Sequence, residues 1–241
     1  MAISLFALHG FLGLPSDWEE FKHLKQETQL HSVPLFDPAF YTKGKGLKGW
    51  AASFNAHVIG LKNPFRRVLL GYSLGARLAM HALLDAEKIW TAAILIAGNL
   101  GLQTESEKAS RRVADQKWAE EFKTKGWENL LLKWNAQPAF KGISPRLKRR
   151  ETEFSREQLV DALMTWSLGN QANLKIPMQS LDLPILWIVG EEDTPYVQIA
   201  QSLRLTHPQS AIAVVPGAAH RVPWEKPHLF ESHVVNFLKK L

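Results

Sequence analysis

The 241-residue chain contains no cysteine, so disulfides, thiolate chemistry and a thiol nucleophile are excluded from the outset. It has no apolar run approaching the ~18 to 20 residues that a membrane-spanning helix requires. The opening MAISLFALHGFLG is apolar, but it lacks a basic leader and a small-residue cleavage pattern, and His9 and Gly10 interrupt it. It reads as a buried strand rather than a signal peptide. Internal repeats, low-complexity tracts and the HExxH metal spacing are all missing. The expectation is a soluble, cytoplasmic protein, monomeric, with no membrane partner, no metal and no cofactor.

What is present is enough for one core. With 46% of its residues hydrophobic, a chain of this length forms one ordinary α/β domain spanning 1–241. The formal net charge is +6, which by itself fits nucleic acid, a membrane surface, an anionic small molecule or a solvated basic face. Its location is more telling. Between Glu105 and Glu157 thirteen lysines and arginines face nine acids, so four of the six net charges sit in that middle stretch.

Two kinds of segment alternate, the signature of parallel strands joined by crossover helices. ISLFALHG, SVPLFD, RRVLLGYS, TAAILIAG, PILWIVG and SAIAVVPG read as six parallel strands. SDWEEFKHLKQE, GWAASFNAHVIG, SLGARLAMHALLDAE, VQIAQSLRLTH and PHLFESHVVNFLKKL carry apolar residues at helical spacing. From Gly101 to Leu181 no strand pattern occurs. KWAEEFKTKGWENLLLKWNAQ and SREQLVDALMTWSLGNQ instead read as amphipathic helices, with Pro138 and Pro145 between them. This 101–181 segment is expected to be a helical cap inserted between two strands.

Gly71-Tyr72-Ser73-Leu74-Gly75 follows the run RRVLL and opens the helical pattern LGARLAMHALL. A serine hydroxyl is a weak nucleophile until a base takes its proton. A tight strand-to-helix turn exposes that oxygen, and the flanking glycines let the backbone bend. The context predicts an α/β-hydrolase fold, in which an acid and then a histidine follow the serine. Of the nine histidines only His9 and His220 immediately follow a strand-like run, and His9 precedes Ser73, so His220 is the expected base. PILWIVGEED offers Glu191, Glu192 and Asp193 past a strand end. Asp193 is preferred to Glu192 because a shorter carboxylate at the third position after the strand glycine suits this loop. It would hold the imidazole in the required tautomer. The backbone N–H groups of Leu74 and Phe11 are the expected oxyanion donors. His9 is read as a buried structural histidine. Gly44, Gly46 and Gly49 spell a dinucleotide fingerprint, but the acid expected about 20 residues later is replaced by Pro64, Phe65, Arg66 and Arg67.

Arg77 lies one helical turn beyond Ser73 on the same face, where a guanidinium could hold a substrate carboxylate or merely neutralise Asp85. Lys108, Arg111 and Arg112 share a face if their segment is helical. Arginine suits bidentate carboxylate recognition, so a basic cluster on a lid implies an anionic substrate. A solvated charged face is the alternative.

HGFLG, GYSLGARLAM, AGNLGLQTESEKASRRVADQKWAEEF, KWNAQPAF, GEED and PGAAH together resemble the 2-succinyl-6-hydroxy-2,4-cyclohexadiene-1-carboxylate synthases of menaquinone biosynthesis. The likeness covers most of the chain, and the cap segment is its specific part. It implies a lyase that eliminates pyruvate from a polycarboxylated cyclohexene, 2-succinyl-5-enolpyruvyl-6-hydroxy-3-cyclohexene-1-carboxylate, with the triad serine as proton abstractor. It further implies Tyr72, Arg77, Gln103, Arg111 and Trp134 as substrate contacts, with Lys108 where the family carries arginine. A further family arginine corresponds to Arg149 or Arg150. Asn135 stands where an aromatic often follows the tryptophan, and HRVPWEKP departs from the usual HNxHxExP. Relatives usually begin with an antiparallel hairpin before the strand ending in HG. Here that strand starts at residue 3, and no hairpin is expected.

Three further readings compete with the lyase. A carboxylester or carbon–carbon hydrolase would use the same triad to form an acyl-enzyme. A non-catalytic module that binds through the cap would have no need of all three triad residues. Nucleic-acid binding ranks last, because a lid already accounts for the aromatic and basic residues.

Overall fold

Six runs pair into one sheet: the four inner ones are buried on both faces, as parallel strands covered by helices on two sides must be, and the two edge strands are partly exposed. The computed structural model describes residues 3–61, 65–140 and 147–241; Pro64 and Pro145 fall outside them. The strands are β1 (Ile3–Leu8), β2 (Gln29–Val33), β3 (Arg66–Tyr72), β4 (Ala92–Ile96), β5 (Ile185–Gly190) and β6 (Ala211–Val215), in the order β2-β1-β3-β4-β5-β6. All five pairings are parallel.

The two-residue period of a strand sends alternate side chains to opposite layers. Phe6 and Leu8 pack with α2 (Leu47–Gly60) and α3 (Leu74–Asp85). Leu5 and Ala7 pack with α1 (Lys22–Glu27) and with Phe230 and Val234 of the C-terminal helix, where Trp18 and Phe21 complete the layer. Trp50 and Phe54 of α2 are almost fully buried and stack at 4.8 Å.

The chain runs from β1 outward to β2, then returns to β3 on the other side of β1. Such a reversal leaves a crevice outside the carboxyl ends of the two strands, where ligands bind in open α/β sheets. His9–Gly13 follows β1 and Ser73 follows β3, so both loops open onto that crevice.

Between β4 and β5 the described residues form no strand. They form α4 (Glu105–Thr124), α5 (Trp127–Asn135), α6 (Arg156–Thr165) and α7 (Lys175–Gln179), with short 3-10 turns between. Helix α4 starts at a capping box in which Thr104 and Glu107 satisfy each other's backbone N–H groups. Helices α4 to α6 bury their own small core of Ala119, Phe122, Trp127, Leu130, Leu159 and Leu163, against which Phe11 and Trp134 rest. The chain closes with α8 (Thr194–Gln201), α9 (Val222–Glu225) and α10 (Pro227–Leu238). No described helix is long and apolar enough to cross a membrane.

Several boundaries differ from those expected. The second strand ends at Val33 rather than running through SVPLFD, because Pro34 has no N–H for the ladder and Asp37 N–H turns back to the Pro34 carbonyl at 3.1 Å. SDWEEFKHLKQE breaks into a 3-10 turn and α1, with Trp18 and Phe21 both turned into the core. Helix α8 begins at Thr194 rather than Val197, with Pro195 in its first turn, and ends at Gln201 rather than His207.

Candidate active site

The turn between β3 and α3 places Ser73 at φ 53°, ψ −108°. A non-glycine residue in this region is strained and is held there by its surroundings. A β-carbon on Gly75 would lie 2.3 Å from the Leu8 carbonyl oxygen, and one on Gly71 would lie 2.4 Å from that of Gly75. Only glycine lets α3 press so closely on β1 and β3. The Ser73 N–H donates to the Ile96 carbonyl at 2.9 Å, tying the turn to β4.

His220, in the loop after β6, has Nε2 3.0 Å from Ser73 Oγ. Its Nδ1 is 2.6 Å from Oδ2 of Asp193, in the loop after β5. His220 and Asp193 are 3% and 5% exposed, so water does not compete for the bond between them. Glu192 is exposed, and the Glu191 carboxylate accepts the Gly217 N–H. The three loops therefore bring together Ser73, His220 and Asp193, with Nε2 free to accept the serine proton. Tyr72 and Tyr196 hold the imidazole between their rings, with centroids at 5.7 and 4.7 Å.

Leu74 is the first residue of α3, where helical N–H groups have no intrahelical partner. Phe11 lies across the crevice in the turn closed by the Gly13 N–H to Gly10 carbonyl bond of 2.9 Å. His9 Nδ1–H donates to the Gly10 carbonyl at 2.9 Å, and burial lowers its pKa to about 4. His9 is thus a neutral strut at pH 7. His81 on α3 is also lowered to about 4, by burial and then by Arg77. An unfolded histidine near 6.5 takes up a proton that the folded chain refuses, so this contribution to stability is present above about pH 6.5 and is lost as pH falls toward 4. From His9 alone, urea unfolding should show a loss of about 2 kcal/mol between pH 7 and pH 5. A His9→Gln variant with an unchanged slope would refute that assignment.

Two cavities meet at Ser73. The smaller, about 160 Å³, is lined by Arg77, Arg111, Trp134, Tyr196 and His220 among others. Arg77 is 8% exposed; its Nε donates to Gln171 Oε1 and its Nη2 to the Trp166 carbonyl, both at 2.7 Å. No carboxylate among the described residues is in salt-bridge range of it. Asp85 is not its partner, because Asp85 accepts from Asn55. Burial, and then repulsion by Arg111, lowers the Arg77 pKa to about 10, which leaves it fully charged at pH 7. Arg111 is held by Nε bonds of 2.9 Å to both oxygens of buried Asp115, which also accepts from Ser167 Oγ at 2.7 Å.

The larger cavity, about 570 Å³, extends from Ser73 past Tyr72, Trp134, Asn135, Phe140 and Arg221 to Arg149. Arg149 is engaged by Asp17 through bonds of 2.8 and 2.5 Å, and exposed Arg150 pairs with Glu153. Gln103 and Lys108 line neither cavity: Gln103 is exposed, and the Lys108 ammonium pairs with Glu105 at 2.8 Å. Arg112 donates to the Gly169 carbonyl at 2.7 Å. Gly46 caps α2 rather than following a strand, so the dinucleotide spacing has no matching structure. Among the described residues no group of three or more His, Asp or Glu could hold a metal ion.

Sequence reasoning missed Gln171 and Trp166, which position Arg77 from about 90 residues downstream, and Asp115, which holds Arg111 from one helical turn away. It also missed Tyr196 and Arg221, each within three residues of a triad member.

This fold and site define the class of protein. The chain matches the model of the Alpha/beta hydrolase family over residues 5–232 and belongs to that family. Within it the chain belongs with the 2-succinyl-6-hydroxy-2,4-cyclohexadiene-1-carboxylate synthases. It is 32% identical to the Photorhabdus laumondii subsp. laumondii synthase over 221 residues, covering 89% of this chain and 78% of the relative. It is 29% identical to the Salmonella schwarzengrund synthase over 240 residues, 94% of this chain and 90% of the relative. Among solved structures, MenH from S. aureus superposes with a TM-score of 0.86 at 21% identity, covering 99% and 94% of the two chains. A thermophilic esterase from Thermogutta terrifontis superposes at 0.73 and 18% identity, covering 100% and 90%.

Proposed function

We propose that this enzyme eliminates pyruvate from 2-succinyl-5-enolpyruvyl-6-hydroxy-3-cyclohexene-1-carboxylate, giving the cyclohexadiene for which its relatives are named. The observation that carries this reading is Arg77: a buried, charged guanidinium without a carboxylate partner among the described residues, one helical turn from Ser73. A buried cation is costly unless paired, and a substrate carboxylate would pair it. A neutral ester would not.

The reaction is a proton removal coupled to loss of an enol. Ser73 Oγ, its own proton accepted by His220 Nε2, removes the proton at C2, which the adjacent succinyl carbonyl acidifies. The electrons form C2=C3, the old C3=C4 bond moves to C4=C5, and the C5–O bond breaks. The departing enolate takes the proton from His220 and ketonises to pyruvate, so Ser73 ends as a hydroxyl and His220 neutral. Asp193 stabilises the imidazolium between these steps. The N–H groups of Leu74 and Phe11 would hold the negative charge that develops on the succinyl oxygen. The chain supplies every group this sequence needs, acting on an anionic small molecule as a monomer.

Pyruvate release by the wild type and by Arg77→Ala tests the reading. A charge-assisted bond lost from a dry site costs about 1.5 to 3 kcal/mol, so kcat/KM should fall about tenfold to a hundredfold. Absence of pyruvate release by the wild type, alongside Ser73-dependent hydrolysis of simple esters, would overturn the lyase in favour of a serine hydrolase.

A further inference from the structure

Arg221 directly follows His220, and nothing in the triad uses it. Its guanidinium projects into the larger cavity, where its carbon lies 4.0 Å from the centroid of the Phe140 ring. Nη2 donates to Asn135 Oδ1 at the end of α5 at 2.5 Å. Nη1 is buried and makes no hydrogen bond of ordinary geometry, although the Tyr72 hydroxyl is close by. The acid in its own loop, Glu225, spends its two carboxylate oxygens on the backbone N–H groups of Ala219 and Arg221. No described carboxylate is within salt-bridge range of the Arg221 side chain.

The other cations of this cavity are differently placed. Arg149 is committed to Asp17 and Arg150 to Glu153, and Lys148 is exposed. Arg221 is therefore the half-buried guanidinium of the larger cavity that has no carboxylate partner among the described residues, as Arg77 is the buried one of the smaller. Ser73 stands where the two cavities meet. An aromatic face under a guanidinium fixes its plane, and the Asn135 bond fixes its rotation, so the positive charge is held in a set place on the cavity wall before any ligand arrives.

We propose that Arg221 is a specificity-determining residue that binds a second carboxylate of the substrate, at the end of the molecule opposite the carboxylate held by Arg77. Ser73 thereby acts on a ring anchored at both ends. The selected ligand class is a cyclic compound with two or more carboxylates, and a monocarboxylate forfeits one anchor. The Asn135 bond also links the histidine loop to α5, so the anion site is assembled only when that helix is seated. This inference deepens the proposed function and rests on its substrate class.

A turnover-independent probe separates the two. The stable aromatic diacid 2-succinylbenzoate carries both carboxylates of the expected product, and its binding by calorimetry does not require lyase activity. Arg221→Gln keeps a hydrogen-bonding group for Asn135 but removes the charge; Arg221→Lys keeps the charge but removes the planar guanidinium that lies over Phe140. Arg221→Gln should weaken diacid binding about tenfold to a hundredfold and raise KM for pyruvate release by a similar factor, with kcat within about threefold. Arg221→Lys, which restores the charge without the planar fork, should recover part of the loss. Binding by Arg221→Gln equal to the wild type would overturn the inference, as would recovery by Gln without recovery by Lys, which would mark Arg221 as a tie between loop and helix. A wild type that binds the diacid through Arg221 but releases no pyruvate would sink the lyase and leave the anion site standing.

Discussion

Ser73→Ala should lower the rate of pyruvate release by at least about a thousandfold while leaving the fold and diacid binding intact. General-base catalysis by a positioned side chain contributes roughly 10² to 10⁴ in rate, and the methyl group of alanine carries no oxygen to take the C2 proton. His220 cannot readily substitute, because its Nε2 is set 3.0 Å behind the serine oxygen and would have to reach through the vacated position. Alanine tolerates the strained turn no worse than serine, since the constraint comes from Gly71 and Gly75 packing against backbone. The comparison is single-turnover pyruvate release together with calorimetric 2-succinylbenzoate binding. Residual activity within tenfold of the wild type would show that Ser73 is not the proton acceptor.

Asp193→Asn should lower kcat by about a thousandfold to ten-thousandfold with little change in KM. The Asp193 oxygen sits 2.6 Å from His220 Nδ1 in a site closed to water. An amide there brings no negative charge, and if its NH₂ faces the ring it forces the proton onto Nε2, where the imidazole can no longer accept from Ser73. The effect should be kinetic rather than structural. Asp193 caps α8 without a side-chain hydrogen bond, so the helix loses no cap and the melting temperature should move by only a few degrees. Steady-state kinetics beside thermal melting separates the two outcomes. A collapse in melting temperature would mean that Asp193 serves mainly to hold its loop.

Much of this architecture was legible because it repeats locally. RRVLLGYSLGARLAM carries a strand, a turn that only glycines permit and a helix in one contiguous stretch, so the sequence alone pointed to Ser73. His220 and Asp193 were legible for a related reason: each follows an aliphatic run that reads as a strand, and parallel strands deliver all their carboxyl-end loops to one edge. Boundaries were less legible where a single residue overrides a run, as Pro34 does in ending β2 and Pro195 in starting α8.

Ligand-facing roles were a different matter. Lys108, Arg111 and Arg112 share helical spacing, yet Lys108 pairs with Glu105, Arg112 reaches the Gly169 carbonyl and Arg111 lines the smaller cavity on Asp115. Which cation is spent on a neighbour and which stays open depends on partners from 3 to 132 positions away, and linear spacing does not say which of them are met in the fold. Arg221 shows the same limit, since Asn135 and Phe140 come to it from more than 80 residues upstream. By itself the sequence determined the sheet, the nucleophile turn and the order of the triad, because these follow from local periodicity and from the few residues that fit a strained backbone. The tertiary structure alone decided which charges are free to meet a substrate, because pairing and desolvation are properties of the folded neighbourhood.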